Sequence, residues 1–192
     1  MPHPSEPWTM SRRLFVAIAL PAIMLCASAH AQDRGANQAA ALFQQSCVRF
    51  TGRSDLLRDW VKAHGLPQAS PDLAAHFSGG RPALMFGAGT ADGKMALVSE
   101  DDGSCRVVVE HEDAAGVENA LVAILQNSGV TVSSMSDRAK PGTTQRLYSA
   151  AIGSRRWLLS VTSHEHADAP ATPPEIVLLA TVADGQAPSK QE

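Results

Sequence analysis

The spacing of apolar and polar positions changes its period along the chain. From Ala39 onward, Leu42, Phe43, Cys47 and Phe50 fall near helical spacing, with Gln44, Gln45 and Arg49 between them and Gly52 at the end. Ser54 stands where a second helix would be capped; Leu56, Leu57, Trp60 and Val61 give it an apolar stripe, and Gly65-Leu66-Pro67 stops it. Ser70-Pro71-Asp72 opens a third, shorter helical turn that carries Phe77 and ends at Gly79-Gly80. Then the period becomes two. Segments 83–87 and 95–99 flank Ala91-Asp92-Gly93, and Asp102-Gly103 turns into a strand over 105–111. Asp113 caps the clearest helix, in which Val117, Ala120, Leu121, Ile124, Leu125 and Ser128 follow i, i+3, i+4 spacing up to Gly129. Further strands are predicted over 130–135, 145–152, 156–162 and 176–182, with Gly153-Ser154 as a turn. Residues 164–174 are rich in Ala and Pro and read as a loop.

Helices, three strands, a helix and four strands joined mostly by short turns predict an α+β domain. Its N-terminal helices accompany a mainly antiparallel sheet, with the helices on one face and the amphipathic helix 114–128 covering it. The boundaries are 39–183 for this single domain, 32–38 for a polar leader and 184–192 for a disordered tail.

Ahead of the domain, Arg12 and Arg13 precede an apolar run from Leu14 to Leu25, and Ala29-His30-Ala31 has the small-x-small form that a signal peptidase cuts. Residues 1–31 therefore read as a signal peptide, with cleavage between Ala31 and Gln32. The location expected is the periplasm or the exterior of a Gram-negative cell. Met10 competes with Met1 as the start. Ser11-Arg12-Arg13-Leu14-Phe15 leaves twin-arginine export open beside the general route, although the later Lys of that motif is missing. Ile23-Met24-Leu25 before Cys26 does not suit lipoprotein processing. The apolar run is too short to span a bilayer comfortably, and no other segment approaches twenty apolar residues, so the mature form is expected not to span a membrane.

Cleavage would discard Cys26 and leave Cys47 and Cys105 in an oxidising compartment, where a structural disulfide is the reading; free thiols or a redox pair are the rival, without Cys-x-x-Cys spacing. Removing Glu6, Arg12 and Arg13 takes the net charge from −3 to −4. With no dense Lys/Arg cluster and a single Tyr in the chain, a nucleic-acid interface is not expected.

Candidate chemistry is sparse. His164 and His166, within His164-Glu165-His166-Ala167-Asp168, could contribute to a zinc or copper site, but a tight site needs three or four converging groups. Gly87 to Lys94 departs from a phosphate-binding loop at Ala88 and Met95 and reads as a hairpin turn. Glu100-Asp101-Asp102-Gly103 lacks the calcium-loop spacing, so its acids are expected to be solvated. No nucleophile elbow or Ser-x-x-Lys occurs; His64, His76 and His111 are scattered; Trp60 and Trp157 fall on apolar faces and read as core. No catalytic residue and no cofactor is assigned.

The pattern Phe43-x3-Cys47, Leu57 and Trp60 with Gly65-Leu66, Gly80-Arg81-Pro82, and Leu97-Val98-Ser99 leading to Asp102-Gly103-Ser104-Cys105 is similar to small exported proteins of Gram-negative bacteria. These pair a helical Cys with a hairpin Cys. The resemblance covers roughly residues 40–165 and implies an envelope location and a paired-cysteine domain, with no catalytic residues to carry over. The function expected is a non-enzymatic binding or inhibitor-type envelope protein with a protein partner. The alternatives are a periplasmic enzyme whose site is assembled from distant residues, and a weak metal binder. The sequence sets no oligomeric state.

Overall fold

The computed structural model describes residues 34–89, 94–164 and 175–183. The signal segment with its Ala31/Gln32 cleavage point, the 91–93 turn, His166 with most of the 164–174 loop, and the 184–192 tail lie outside the described residues. Helical backbone runs over 34–50 (α1), followed by α2 (Ser54–Ala63), α3 (Pro71–Ser78), β1 (Ala83–Gly87), β2 (Lys94–Glu100) and β3 (Cys105–Glu110). Next come α4 (Ala114–Asn127), β4 (Thr131–Lys140), β5 (Thr143–Ile152), β6 (Arg155–His164) and β7 (Glu175–Val182). The fold is α+β. Among the described residues, seven strands form one sheet in the order β1-β2-β3-β7-β6-β5-β4, antiparallel at every junction. No helix among the described residues is long and apolar enough to cross a membrane.

The main core lies between the sheet and α1, α2 and α4. Ala36, Ala39, Ala40, Phe43 and Cys47 recur every three or four residues on α1 and are all buried. Their small size lets the helix approach the sheet closely, where it meets β3 and β7 at the sheet's centre. The segment 32–38, expected as a leader, is helical from residue 34, because Ala36 continues the buried stripe. Opposing this layer are Leu97 of β2, Val107 of β3, Leu159 of β6 and Leu178 of β7, the inward alternate positions of their strands. Trp157 is in this core as expected; Trp60 is only half-buried and stacks on His64, with ring centroids 4.1 Å apart.

Helices α2 and α3 also depart from the pattern read in the sequence. Helix α2 starts at Ser54 itself, with Arg53 in the cap position and no side-chain cap bond. Helix α3 lies on the opposite face from the other helices, where Ala74 joins Met85, Ala96, Val98 and Val108, the outward alternate positions of β1, β2 and β3. Ser70 caps it by accepting from the Leu73 amide at 3.3 Å, and Gly79 ends it in the left-handed region. Its short apolar stripe gave no sign of which face it would take. Helix α4 behaves as read: the Asp113 carboxylate accepts from the Gly116 amide at 2.7 Å, and Val117, Leu121 and Leu125 are buried.

The disulfide pairs Cys47 of α1 with Cys105 of β3, with Cα atoms 5.1 Å apart and 58 residues in the closed loop. Loop-entropy reasoning gives it about 4 kcal/mol of stabilisation. Around Cys47 the helix widens into a π-turn over Gln44–Val48. Ser46 Oγ donates to the Leu42 carbonyl at 2.6 Å and Thr51 Oγ1 to the Cys47 carbonyl, which supplies side-chain partners where the usual ladder shifts. Just beyond, the Gly52 amide donates to the Gly103 carbonyl at 2.9 Å. A Cβ on Gly103 would stand 2.8 Å from the Gly52 Cα, and Gly103 has φ +88°, so this crossing requires glycine. Disulfide and glycine contact together fasten the end of α1 to the β2–β3 turn.

Candidate functional site

Three places gather polar chemistry. The first is a cleft of about 320 Å³ where β5 and β6 extend past the N-terminus of α4. Its walls are Asp113, Ala114, Ala115 and Glu118 from the helix, Thr144 and Arg146 from β5, and Val161 and Ser163 from β6. Glu118 projects from the second turn of α4, where Arg146 Nη1 donates to its Oε2 and Tyr148 Oη to its Oε1. Asp137 of β4, paired with Arg146 in the sheet, brings a second carboxylate to 3.9 Å from the guanidinium. Burial and the Glu118 contact push the Tyr148 phenol up to about 12, so it holds its proton throughout the neutral range. Glu118 raises Arg146 further above its ordinary value. These groups satisfy one another. The arrangement positions side chains and offers Thr144 and Ser163 hydroxyls, while its phenol is tuned away from acid–base work near neutrality.

The second place is the Glu100 clamp. Glu100 is fully buried (0% exposed), in contrast to the solvated acid expected at this turn. Arg81, from the segment after α3, donates to Glu100 Oε1 at 2.9 Å, and Arg106 Nε lies 2.6 Å from the same oxygen. Strand alternation explains the difference. Glu100 takes the outward face of β2 that α3 covers, whereas Asp101 and Asp102 sit in the turn and stay exposed. Burial pushes the Glu100 carboxyl above its ordinary range against the pull of Arg81. Arg106 Nη1 also reaches the Phe77 carbonyl at 3.3 Å, and Ser78 Oγ donates to the Arg81 carbonyl at 2.6 Å. The clamp thus ties α3 to the sheet.

The third place is a row across the sheet: Lys140, Thr143, His164, Glu175, Glu110 and Lys94 are successive cross-strand neighbours. His164, expected in a loop, ends β6 because that strand runs three residues past its last apolar position, Val161. Its Nδ1 lies 3.3 Å from Thr143 Oγ1. The order hydroxyl, imidazole, carboxylate is that of a nucleophile relay, but the pairing of His164 with Glu175 is by strand register, with no salt bridge at 4.0 Å or less among the described residues. No group of three or more His, Cys, Asp or Glu side chains among the described residues is placed to hold a metal ion. His64 and His111 stay separate: His64 Nδ1 bonds the Trp60 carbonyl at 2.8 Å, and His111 Nδ1 lies 3.9 Å from Glu110.

The uncovered face of the sheet is a further feature without a sequence signal. On the face that carries α3 over β1 to β3, no described helix covers β7, β6, β5 and β4. By register this uncovered stretch presents Leu179, Leu158 and Leu147 around Ser160, with Ser133, Ser136, Ser149, Thr162 and Thr181 beside them. Leu158 is 38% exposed, while Ser160, flanked by the leucines, is 5% exposed. Arg138 and Lys140 lie on the same face at the β4 margin. The leucines alternate with hydroxyl residues, so the face leaves only a faint trace in hydropathy.

Compared with protein-family models and with curated proteins, the chain matches none. What fold and geometry define is therefore a class: a disulfide-closed α+β protein whose described residues form a seven-stranded antiparallel sheet, half of one face of which no described helix covers. The disulfide is consistent with an extracytoplasmic protein.

Proposed function

We propose that the protein is exported to the Gram-negative envelope and acts there as a non-enzymatic binding or inhibitor-type protein, holding a partner protein on the uncovered face of its sheet. The observation that carries this reading is the apolar trio Leu147, Leu158 and Leu179, set among hydroxyls on a face that no described helix covers. Arg138 and Lys140 at its margin favour a partner whose apolar side chains are bordered by carboxylates. Export is supported by the signal-like segment 1–31 and by the even cysteine pair that its removal would leave.

A photo-crosslinking residue at Leu158 in cells tests the binding face directly, with the same residue at Gln126, exposed at the end of α4, as control. A discrete adduct at 158 and none at 126 is the expected result, and the face of the captured protein should be apolar with acidic borders. No adduct at 158, or equal adducts at both positions, overturns the reading. Intact mass tests export: the expected chain begins at Gln32 and is lighter by two hydrogens than its reduced form, whereas a retained N-terminus contradicts export.

The cleft at α4 supports a second reading, an enzyme, because Glu118, Arg146 and Asp113 converge there. That reading requires turnover of some substrate class that Glu118→Gln abolishes while the fold is kept.

A further inference from the structure

The β4 margin of the sheet has no neighbour among the described residues and is, by its own register, complementary to itself. We propose that a second copy of this chain pairs with β4, antiparallel and centred on its bulge, in the register that sets residue i of one copy opposite residue 271 − i of the other. The inference stands whether or not the uncovered face binds a separate partner.

The argument begins with which backbone groups are free. Pro141-Gly142 is a two-residue turn that closes the β4–β5 hairpin, so Lys140 and Thr143 form its hydrogen-bonded closing pair. Hydrogen-bonded and non-bonded pairs alternate along an antiparallel ladder. Counting along β5 from Thr143, the residues of β4 turned toward it are Lys140, Arg138, Ser136, Ser133 and Thr131. The peptide groups of Val132, Ser134, Asp137 and Ala139 therefore point outward, away from the sheet. The register slips by one between Ser134 and Ser136, and Met135 is the extra residue.

That slip makes self-pairing coherent. Without it, two residues whose numbers sum to an odd value would lie on opposite faces and could not stand opposite one another. With the bulge at the centre, Thr131 meets Lys140 and Ser133 meets Arg138, all four on the uncovered face. Val132 meets Ala139 and Ser134 meets Asp137, all four on the helix-bearing face. The second set is also the set with outward peptide groups, so each of these pairs exchanges main-chain hydrogen bonds, and each occurs twice about the two-fold axis. Every charged residue of β4 then faces a hydroxyl residue. Registers centred on the second half of the strand set Asp137 against Asp137 or Arg138 against Arg138, and like charges directly opposite are unfavourable. A register centred on Val132 pairs only the segment before the bulge.

The apolar side chains point the same way. Met135 is 58% exposed, more than any other large apolar side chain that the structure describes. In this register the two copies of Met135 meet beside the axis, each against Ser136 of the other copy. The uncovered faces of the two sheets join into one surface.

The test is the association of the protein as the cell delivers it, with its Cys47–Cys105 disulfide intact. Sedimentation equilibrium should show a reversible dimer. Ser133→Arg places two arginines opposite one another at both symmetric positions and should weaken the dimer about tenfold, while Ser133→Asp, opposite Arg138, should tighten it. Ser134→Pro removes an outward-pointing donor and should abolish pairing, with the circular dichroism spectrum reporting that the fold is kept. As a positive check on register, Ser133→Cys combined with Arg138→Cys should oxidise to a covalently linked dimer. A monomer at every concentration, a dimer indifferent to Ser133→Arg and Ser134→Pro, or no covalent dimer from the cysteine pair would overturn the proposal.

Discussion

The sheet ends differently at its two margins. At the β1 margin, Ala69 donates to the Met85 carbonyl at 2.8 Å and Gly87 to the Pro67 carbonyl at 2.9 Å, so the segment after α2 adds a short bridge along the outer edge. Strand β1 is brief, its sheet neighbours carry helices on both faces, and the Cys47–Cys105 bond lies within the same half. At the β4 margin a ten-residue strand has no described neighbour on its outer side, and most of its residues are exposed. Both margins belong to one antiparallel sheet with the same local physics. What separates them is where the described elements lie: α2, α3 and the disulfide serve one half, and among the described residues α4 and part of α1 serve the other. A free edge is a liability that proteins commonly bury, bulge or charge. Here β4 has a bulge and charges, but they are placed so that a copy of the strand fits them.

If the two halves differ in this way, substitutions in the closed half should dominate stability. The largest effect is expected from Cys47→Ala with Cys105→Ala, a loss of about 4 kcal/mol by urea denaturation. A change below about 1 kcal/mol would show that the closed half does not depend on its staple. Glu100→Gln comes next: Arg106 and Arg81 lose their carboxylate beneath α3, at a cost of about 3 kcal/mol.

The boundary between the halves has its own signature in Tyr148, the one tyrosine of the chain. Its phenol is raised from 10 to about 12 in the folded protein. The stabilisation it brings is therefore complete below the unfolded value and is lost as pH rises through the folded one. Absorbance near the tyrosinate band should show a single ionisation near pH 12, moved toward its ordinary value by Glu118→Gln; ionisation near pH 10 in the folded protein would detach Tyr148 from Glu118. The smallest effect belongs to the open margin. Ser133→Arg should leave the monomer's unfolding free energy within about 0.5 kcal/mol of the parent, and a larger loss would mean that β4 is less open than described.

How much of this was legible in the sequence follows the same division. In the closed half, capping and stop signals at Ser70, Gly79 and Gly65, and the alternation in β2 and β3, gave elements within a residue or two of their true bounds. The cysteine pair followed from counting. Strand β4 was read only as far as 135 because Ser136 to Lys140 are polar apart from Ala139; an edge strand with solvent beside it needs no apolar face. Glu100 was placed in solvent because its neighbours Asp101 and Asp102 belong to a turn, and nothing local reveals that α3 crosses to the other face and brings Arg81 with it. The Glu118–Arg146–Tyr148 cluster joins residues 28 and 30 positions apart, so only the fold assembles it. The uncovered face was invisible for a related reason: leucines alternating with serines look alike whether or not a helix lies above them.

The contrast between the margins is tested most directly by residue-resolved hydrogen exchange at protein concentrations low enough to keep the chain monomeric. The amides of Leu84, Phe86 and Gly87 in β1 should be protected, as should those of Ser133, Arg138 and Lys140, which point into the sheet. The amides of Val132, Ser134, Asp137 and Ala139 should exchange freely and gain protection as concentration rises. Exchange at β1 as fast as at the outward amides of β4, or protection of those four amides at every dilution, would contradict the account.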